Sequence, residues 1–170
     1  MASIRREKTA DIPDIHRVNE AAFKQKTEAD IVDALRSRGA LTVSLVAVLD
    51  GHLVGHIAFS PVTVKSSNAD FTAIGLGPMA VLPEHQRHGI GSQLVQTGLE
   101  ACRELGYDFA VVVGHPNYYP RFGFTPGKAK GLICEYDVPD EAWMVVELKN
   151  GSLNSRRGTV YYQPMFRKAV

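Results

Sequence analysis

Between Gly89 and Leu105 apolar residues recur at spacings of three and four: Leu94, Val95, Leu99, Cys102 and Leu105. That period predicts an amphipathic helix, stopped by Gly106. Two more helical patterns lie earlier. Asp11-Ile12-Pro13 is a helix start with proline in the first turn, and Ile12, Ile15, Val18, Ala22 and Phe23 share one face behind it. Thr27 stands where it can cap a second helix, with Asp30 at the capping-box spacing. The apolar line of that helix is Ile31, Ala34 and Leu35, and Gly39 ends it.

The remaining apolar runs are too short for helices. Ser3 to Lys8 is a short first strand. Leu41 to Leu49, rich in Val and Leu, is a second. Asp50-Gly51 signals a hairpin, and His52 to Val64 answers as the antiparallel partner. After the polar turn Ser66 to Asp70, a fourth strand runs from Phe71 to Leu82 and ends at Pro83. It carries Gly75, Gly77 and Pro78, and proline donates no ladder hydrogen bond, so an irregularity or bulge is expected near Pro78. Phe109 to Val113 is almost wholly apolar, the pattern of a strand covered on both faces. Gly114-His115-Pro116 ends it, and Asn117 to Phe122 forms a short helix. Further extended pieces are read at Trp143 to Leu148 and Val160 to Tyr162. A hairpin, then strand, helix and strand, predicts a mixed sheet with helices on its faces.

Composition changes this picture little. The chain has 170 residues, 45% hydrophobic and 22% charged, which suits one globular domain over residues 1–170 with a real core. A formal net charge of +1 argues for neither nucleic acid nor a membrane surface. No segment approaches a bilayer span, and no apolar run follows the early basic residues as in a signal peptide. Two cysteines, Cys102 and Cys134, form neither a disulfide framework nor a metal spacing, which points to a reducing, cytoplasmic setting.

The candidate chemistry gathers where the fourth strand meets the long helix, at Gln86-Arg87-His88-Gly89-Ile90-Gly91. The first turn of a helix has N–H groups with no intrahelical acceptor. Glycines there let a ligand approach, and the helix dipole adds positive character. The loop therefore suits a phosphate or pyrophosphate, and Arg87 and His88 can add charge. A dinucleotide fingerprint is incomplete, because Leu94 stands where its third glycine belongs. His52 and His56 lie four apart on a strand, roughly 13 Å from each other, so they share no metal. His85 and His88 read as solvated loop residues, Cys102 as part of a packed face, and Arg156-Arg157 as a solvated turn. Phe122, Phe124 and Trp143 read as core, and Tyr118 as structural.

Gln86 to Gly91 matches the Q/R-x-x-G-x-G/A signature of GCN5-related N-acetyltransferases. Met79-Ala80-Val81-Leu82-Pro83 resembles that family's strand and entry loop. Tyr119-Pro120-Arg121-Phe122-Gly123-Phe124 resembles its second signature, with a tyrosine four residues before a Gly-Phe pair. With Leu76 to Val81 and the tail from Val138 to Phe166, nearly the whole chain is similar to a bacterial subgroup of predicted N-acetyltransferases.

The resemblance implies an α/β fold of the α+β type: a mixed, mostly antiparallel sheet with splayed central strands and helices on both faces. It implies an acetyl-CoA-dependent enzyme that moves the acetyl group to a primary amine by direct attack in a ternary complex, with no metal. Coenzyme A would be held by Gln86, Arg87, His88, Gly89, Ile90, Gly91 and Ser92, chiefly through loop amides. Its arm would run along Met79, Ala80 and Val81 between strands ending near Val81 and Val113, with Asn117 as a further contact. Tyr119 matches the general acid. Two departures leave the base open: Val112 stands where many relatives carry asparagine, and the fourth strand carries no carboxylate. Glu28 and His56 are the candidates.

Each assignment has a rival. Tyr119 can be a core tyrosine with a satisfied hydroxyl, and Glu28 a carboxylate that favours the positive end of its helix. At the level of function the rivals are a catalytically silent acyl-CoA sensor and a nucleotide-dependent oxidoreductase stabilised by NAD. The acceptor amine stays open among polyamines, amino acids, antibiotics, protein N-termini and lysines, and so does a homodimer.

Overall fold

The computed structural model describes residues 1–170. The chain forms β1 (Ser3–Arg6), α1 (Ile12–Phe23), α2 (Thr27–Ser37), β2 (Val43–Leu49), β3 (His52–Lys65), β4 (Phe71–Val81), α3 (Ile90–Glu104), β5 (Phe109–Val113), β6 (Thr125–Pro126), β7 (Leu132–Cys134), β8 (Trp143–Glu147) and β9 (Gly158–Tyr161). Short 3-10 turns join several of these, among them Tyr119–Phe122 and Pro164–Ala169. No helix is long and apolar enough to cross a membrane.

The strands build a 9-stranded sheet in the order β1-β2-β3-β4-β5-β8-β6, with β9 beside β3 and β7 beside β9. Pairing is antiparallel except for β4 with β5 and β7 with β9. The β2–β3 hairpin closes through Asp50 and Gly51, both at positive φ (51° and 78°), the conformation its two-residue turn requires. Strand alternation sends neighbouring side chains of β3 to opposite faces. His56 meets Asn19 of α1 on one face. On the other, Gly55 lies against Leu94 of α3, and Phe59 fills the space a side chain at position 98 would take. The helices therefore cover both faces, α1 on one and α3 on the other.

Two features open a cleft in this sheet. Opposite Ala58 of β3, β4 accommodates the two residues Gly77 and Pro78, so the register slips between Ile57↔Met79 and Phe59↔Leu76. This is the irregularity expected at Pro78. In addition, β4 and β5 pair only at Ile74↔Ala110 and Gly75↔Val111. Beyond that point both strands continue, to Val81 and Val113, without each other as partners. A parallel pair that separates leaves an unpaired backbone edge on each side.

Three local expectations are corrected. Thr27 is the first residue of α2 rather than its cap, and no capping box forms there. Lys24 ends α1 in the left-handed region (φ 58°), and the chain turns straight into α2, so that the Lys26 carbonyl receives the Asp30 N–H. Phe23 is 37% exposed, while Asn19 holds the buried position on α1. The tail after Phe124 contains two short strands, β6 and β7, which carry no period strong enough to read.

Candidate functional site

The separation of β4 from β5 opens into a cleft of about 740 Å³. Four pieces of chain wall it: the loop leading into α3, the junction of α1 and α2, the turn after β5, and the C-terminal segment.

At one end stands the start of α3. Arg87 and Gly89 adopt positive φ (66° and 84°), a conformation that costs glycine nothing, and Gly89 is the helix N-cap. From Arg87 through Ser92 no backbone N–H donates to a protein acceptor; the first helical bond runs from Gln93 N–H to the Gly89 carbonyl. A run of free donors at a helix start, beside a guanidinium, is an anion site. Arg87, Gly89, Gly91 and Ser92 line the cleft. Gln86 also lines it, and its Nε2 donates to the Val81 carbonyl at 2.9 Å, tying loop to strand end. Ile90 turns its side chain into the core, 5% exposed, so only its backbone is available to a ligand. The His88 side chain does not line the cleft.

Next to this end, Met79, Ala80 and Val81 line the floor along the unpaired edge of β4. The free edge suits an extended, amide-bearing ligand that adds like a strand. Opposite, Tyr119 begins the turn after β5 and is 8% exposed. Gly114 makes that position reachable, since a Cβ there would fall 2.3 Å from the Tyr119 ring. The ring packs edge-on against Tyr118 and Phe124, at centroid distances of 5.1 and 5.6 Å. Its hydroxyl has no hydrogen-bond partner on the protein, and burial, with Tyr118 adding, pushes the phenol well above its ordinary value. A phenol so placed stays protonated and able to donate. Glu28, in the first turn of α2, is the one acidic side chain lining the cleft, and it accepts bonds from Gln25 Nε2 at 3.0 and 3.3 Å.

Two sequence-derived candidates fall elsewhere. His56 is fully buried and lines no part of the cleft. Ser44 donates to Glu7, so His56 Nε2–H donates to Ser44 Oγ at 2.8 Å, while Nδ1 accepts from Asn19 Nδ2 at 3.3 Å. Burial lowers its pKa to about 3, against a smaller raising effect of Glu7. The ring is a neutral strut in a polar core network and cannot reach an amine in the cleft. Asn117 sits exposed on the turn that closes the Tyr118 N–H onto the His115 carbonyl, and it too lies outside the cleft.

Other residues enter that the sequence reading had left aside. Tyr118, read as structural, places its hydroxyl 3.3 Å from Ser92 Oγ, bridging the β5 turn to the start of α3. Arg121 stacks on the Tyr118 ring at 4.5 Å, and its Nε donates to the Tyr118 carbonyl. Tyr136, Tyr162 and Phe166 wall the opposite end. They come from the irregular tail, where no period or motif could single them out. Charge is thus divided along the cleft: Arg87 and Arg121 at the loop end, Glu28 alone towards α2.

Comparison with known proteins agrees with this geometry. An acetyltransferase (GNAT) domain family matches residues 3–127. The uncharacterized N-acetyltransferase YhbS of Escherichia coli K12 is 36% identical over 166 residues, which are 97% of this chain and 98% of that protein. The crystal structure of Escherichia coli YhbS in complex with CoA superposes with a TM-score of 0.92 at 36% identity, covering 98% of this chain and 92% of that one. A GNAT family acetyltransferase from Brucella melitensis in complex with acetyl-CoA gives a TM-score of 0.81 at 37% identity, covering 98% of each chain.

Proposed function

The chain belongs to the GNAT acetyltransferase family and is an N-acetyltransferase that uses acetyl-CoA; on that premise we propose that it moves the acetyl group to a primary amine by direct attack within a ternary complex. Residues 1–170 act as one GNAT domain, because β9, beyond the matched residues, completes the sheet beside β3.

The observation that carries this reading is the alignment along one cleft of three unlike elements. These are the free N–H groups from Arg87 to Ser92, the unpaired edge of β4 at Met79 to Val81, and the Tyr119 hydroxyl. The loop amides hold the pyrophosphate, with Arg87 adding charge. The β4 edge aligns the pantetheine amides, and a backbone N–H near Met79 or Ala80 polarises the thioester carbonyl. His88 and Ile90 contribute through their backbone, and Gln86 by fixing the loop to Val81.

An alkylammonium has no lone pair, and with an ordinary pKa of about 10.4 only about 0.1% of it is neutral at pH 7.4. Glu28 draws the cation into the cleft and receives its proton, directly or through water. As the tetrahedral intermediate collapses, Tyr119 donates its proton to the leaving thiolate. Holding both substrates in one cleft makes the attack local rather than bimolecular. The reading departs from the sequence expectation at His56, which the core encloses.

The experiment is coenzyme A thiol release from acetyl-CoA across a panel of amines, with the Glu28→Gln and Tyr119→Phe variants alongside. Turnover that falls in both variants while acetyl-CoA still binds supports the assignment. Tight acetyl-CoA binding with no turnover on any amine would sink it and favour a sensor.

A further inference from the structure

The end of the cleft remote from the anion loop has a composition of its own. Phe23 closes α1, Ile31 follows Glu28 by one turn of α2, and Phe166 packs into the same small cluster as Ile31. Tyr162 continues the wall, 5.3 Å from the Phe166 ring, and Tyr136 stacks on Tyr162 at 6.2 Å. Burial raises the Tyr162 phenol, with Cys134, Tyr136, Glu135 and, least, Tyr119 adding to it. Glu28 is the single acidic side chain lining this end. The tail is held in place rather than draped: Gln163 Nε2 donates to the Pro61 carbonyl at 3.0 Å, and the Tyr162 N–H donates to Glu135 at 2.6 Å.

From this we infer that the acceptor is a compact amine with one positive charge, borne on an aromatic body. The inference rests on the acetyl-transfer reading above. Aromatic walls match an aromatic ring by area and by edge-to-face geometry. A lone acidic side chain pairs one ammonium. A polyamine would bring further ammonium groups with no further acidic side chain to meet them, and a polyhydroxylated aminoglycoside would press many polar groups against apolar walls. Tyr136 and Tyr162 wall the chamber through their other atoms, since both hydroxyl oxygens are buried even with the cleft empty.

The test uses the full chain, acetyl-CoA and five amines: phenethylamine, tyramine, spermidine, kanamycin and a short lysine peptide, read by thiol release. Phenethylamine and tyramine are expected to exceed the other three in kcat/KM by about tenfold or more. Phe166→Ala is expected to raise the KM for both aromatic amines about tenfold, with the acetyl-CoA KM held within about twofold. Phe166→Leu replaces Phe166→Ala if the latter fails to melt cooperatively. Faster turnover of spermidine, kanamycin or the peptide overturns the acceptor class while leaving acetyl transfer standing. So does an unchanged aromatic KM in the Phe166 variant. No turnover with any of the five amines, while coenzyme A still raises the melting temperature, overturns the transfer reading and this one with it.

Discussion

Replacing Tyr119 with phenylalanine separates chemistry from stability, because the structure assigns the hydroxyl no partner on the protein. The change removes one oxygen and leaves the ring in its place, between Tyr118 and Phe124 and against Gly114. No buried donor or acceptor loses its mate, so the stability change should stay within about 0.5 kcal/mol. For a chain of this size that is a melting shift of about 2 °C or less. The rate is another matter. A positioned general acid contributes about 10²- to 10⁴-fold, or roughly 3–5 kcal/mol of barrier. Thiol release at saturating acetyl-CoA and amine should therefore fall by about 100-fold or more, with the KM for acetyl-CoA nearly unchanged. The pH profile adds a check. Burial raises the phenol above its ordinary 10.0, so in the wild type the acid keeps its proton and no alkaline limb from Tyr119 appears below about pH 10. A variant that retains kcat within about threefold refutes the acid role. A melting loss of more than about 5 °C refutes the free hydroxyl.

The remaining predictions concern the base, the loop and the core. Glu28→Gln should lower kcat/KM for the amine about 10- to 100-fold and leave the acetyl-CoA KM within about twofold, since Glu28 lies at the opposite end from the loop; steady-state kinetics with each substrate varied checks this. Gly91→Ala places a Cβ 2.9 Å from the Tyr118 hydroxyl, above the free amides of α3; the KM for acetyl-CoA should rise about tenfold, read by initial rates and by calorimetry with coenzyme A. His56 stays neutral in the fold down to about pH 3, whereas in the unfolded chain it takes a proton near 6.5. The unfolded state therefore binds more protons between those values, and stability is lost as pH falls through that window, by roughly 5 kcal/mol in all. Glu7, held below its ordinary value by Arg36 and Ser44 against its desolvation, adds to the loss below about pH 4.5. Urea midpoints measured from pH 7 to 4 should fall steeply for the wild type and less steeply for His56→Gln; parallel curves would show that the ring does not carry the effect.

The order of elements, the α3 period, the Asp50-Gly51 hairpin and the irregularity at Pro78 were legible along the chain because each is a local property. Side-chain period, turn conformation and a missing N–H act within a few residues. The donor loop was legible for the same reason: the amides from Arg87 to Ser92 belong to one turn, and the glycines that open it are its own. Three other features were decided only by the tertiary structure. His56 shares its strand with residues facing α3, yet alternation turns it towards Asn19 and Ser44, so a plausible base became a neutral core group. Tyr118 reached the cleft because the turn after β5 folds against the start of α3. The acceptor wall joins Glu28 and Ile31 with Tyr136, Tyr162 and Phe166, more than 100 residues away in sequence. Such a wall has no period and no motif. It exists because the β9 strand and the closing turn pack back onto β3 and α2, and contacts between segments so distant are specified by the whole core rather than by any stretch of it.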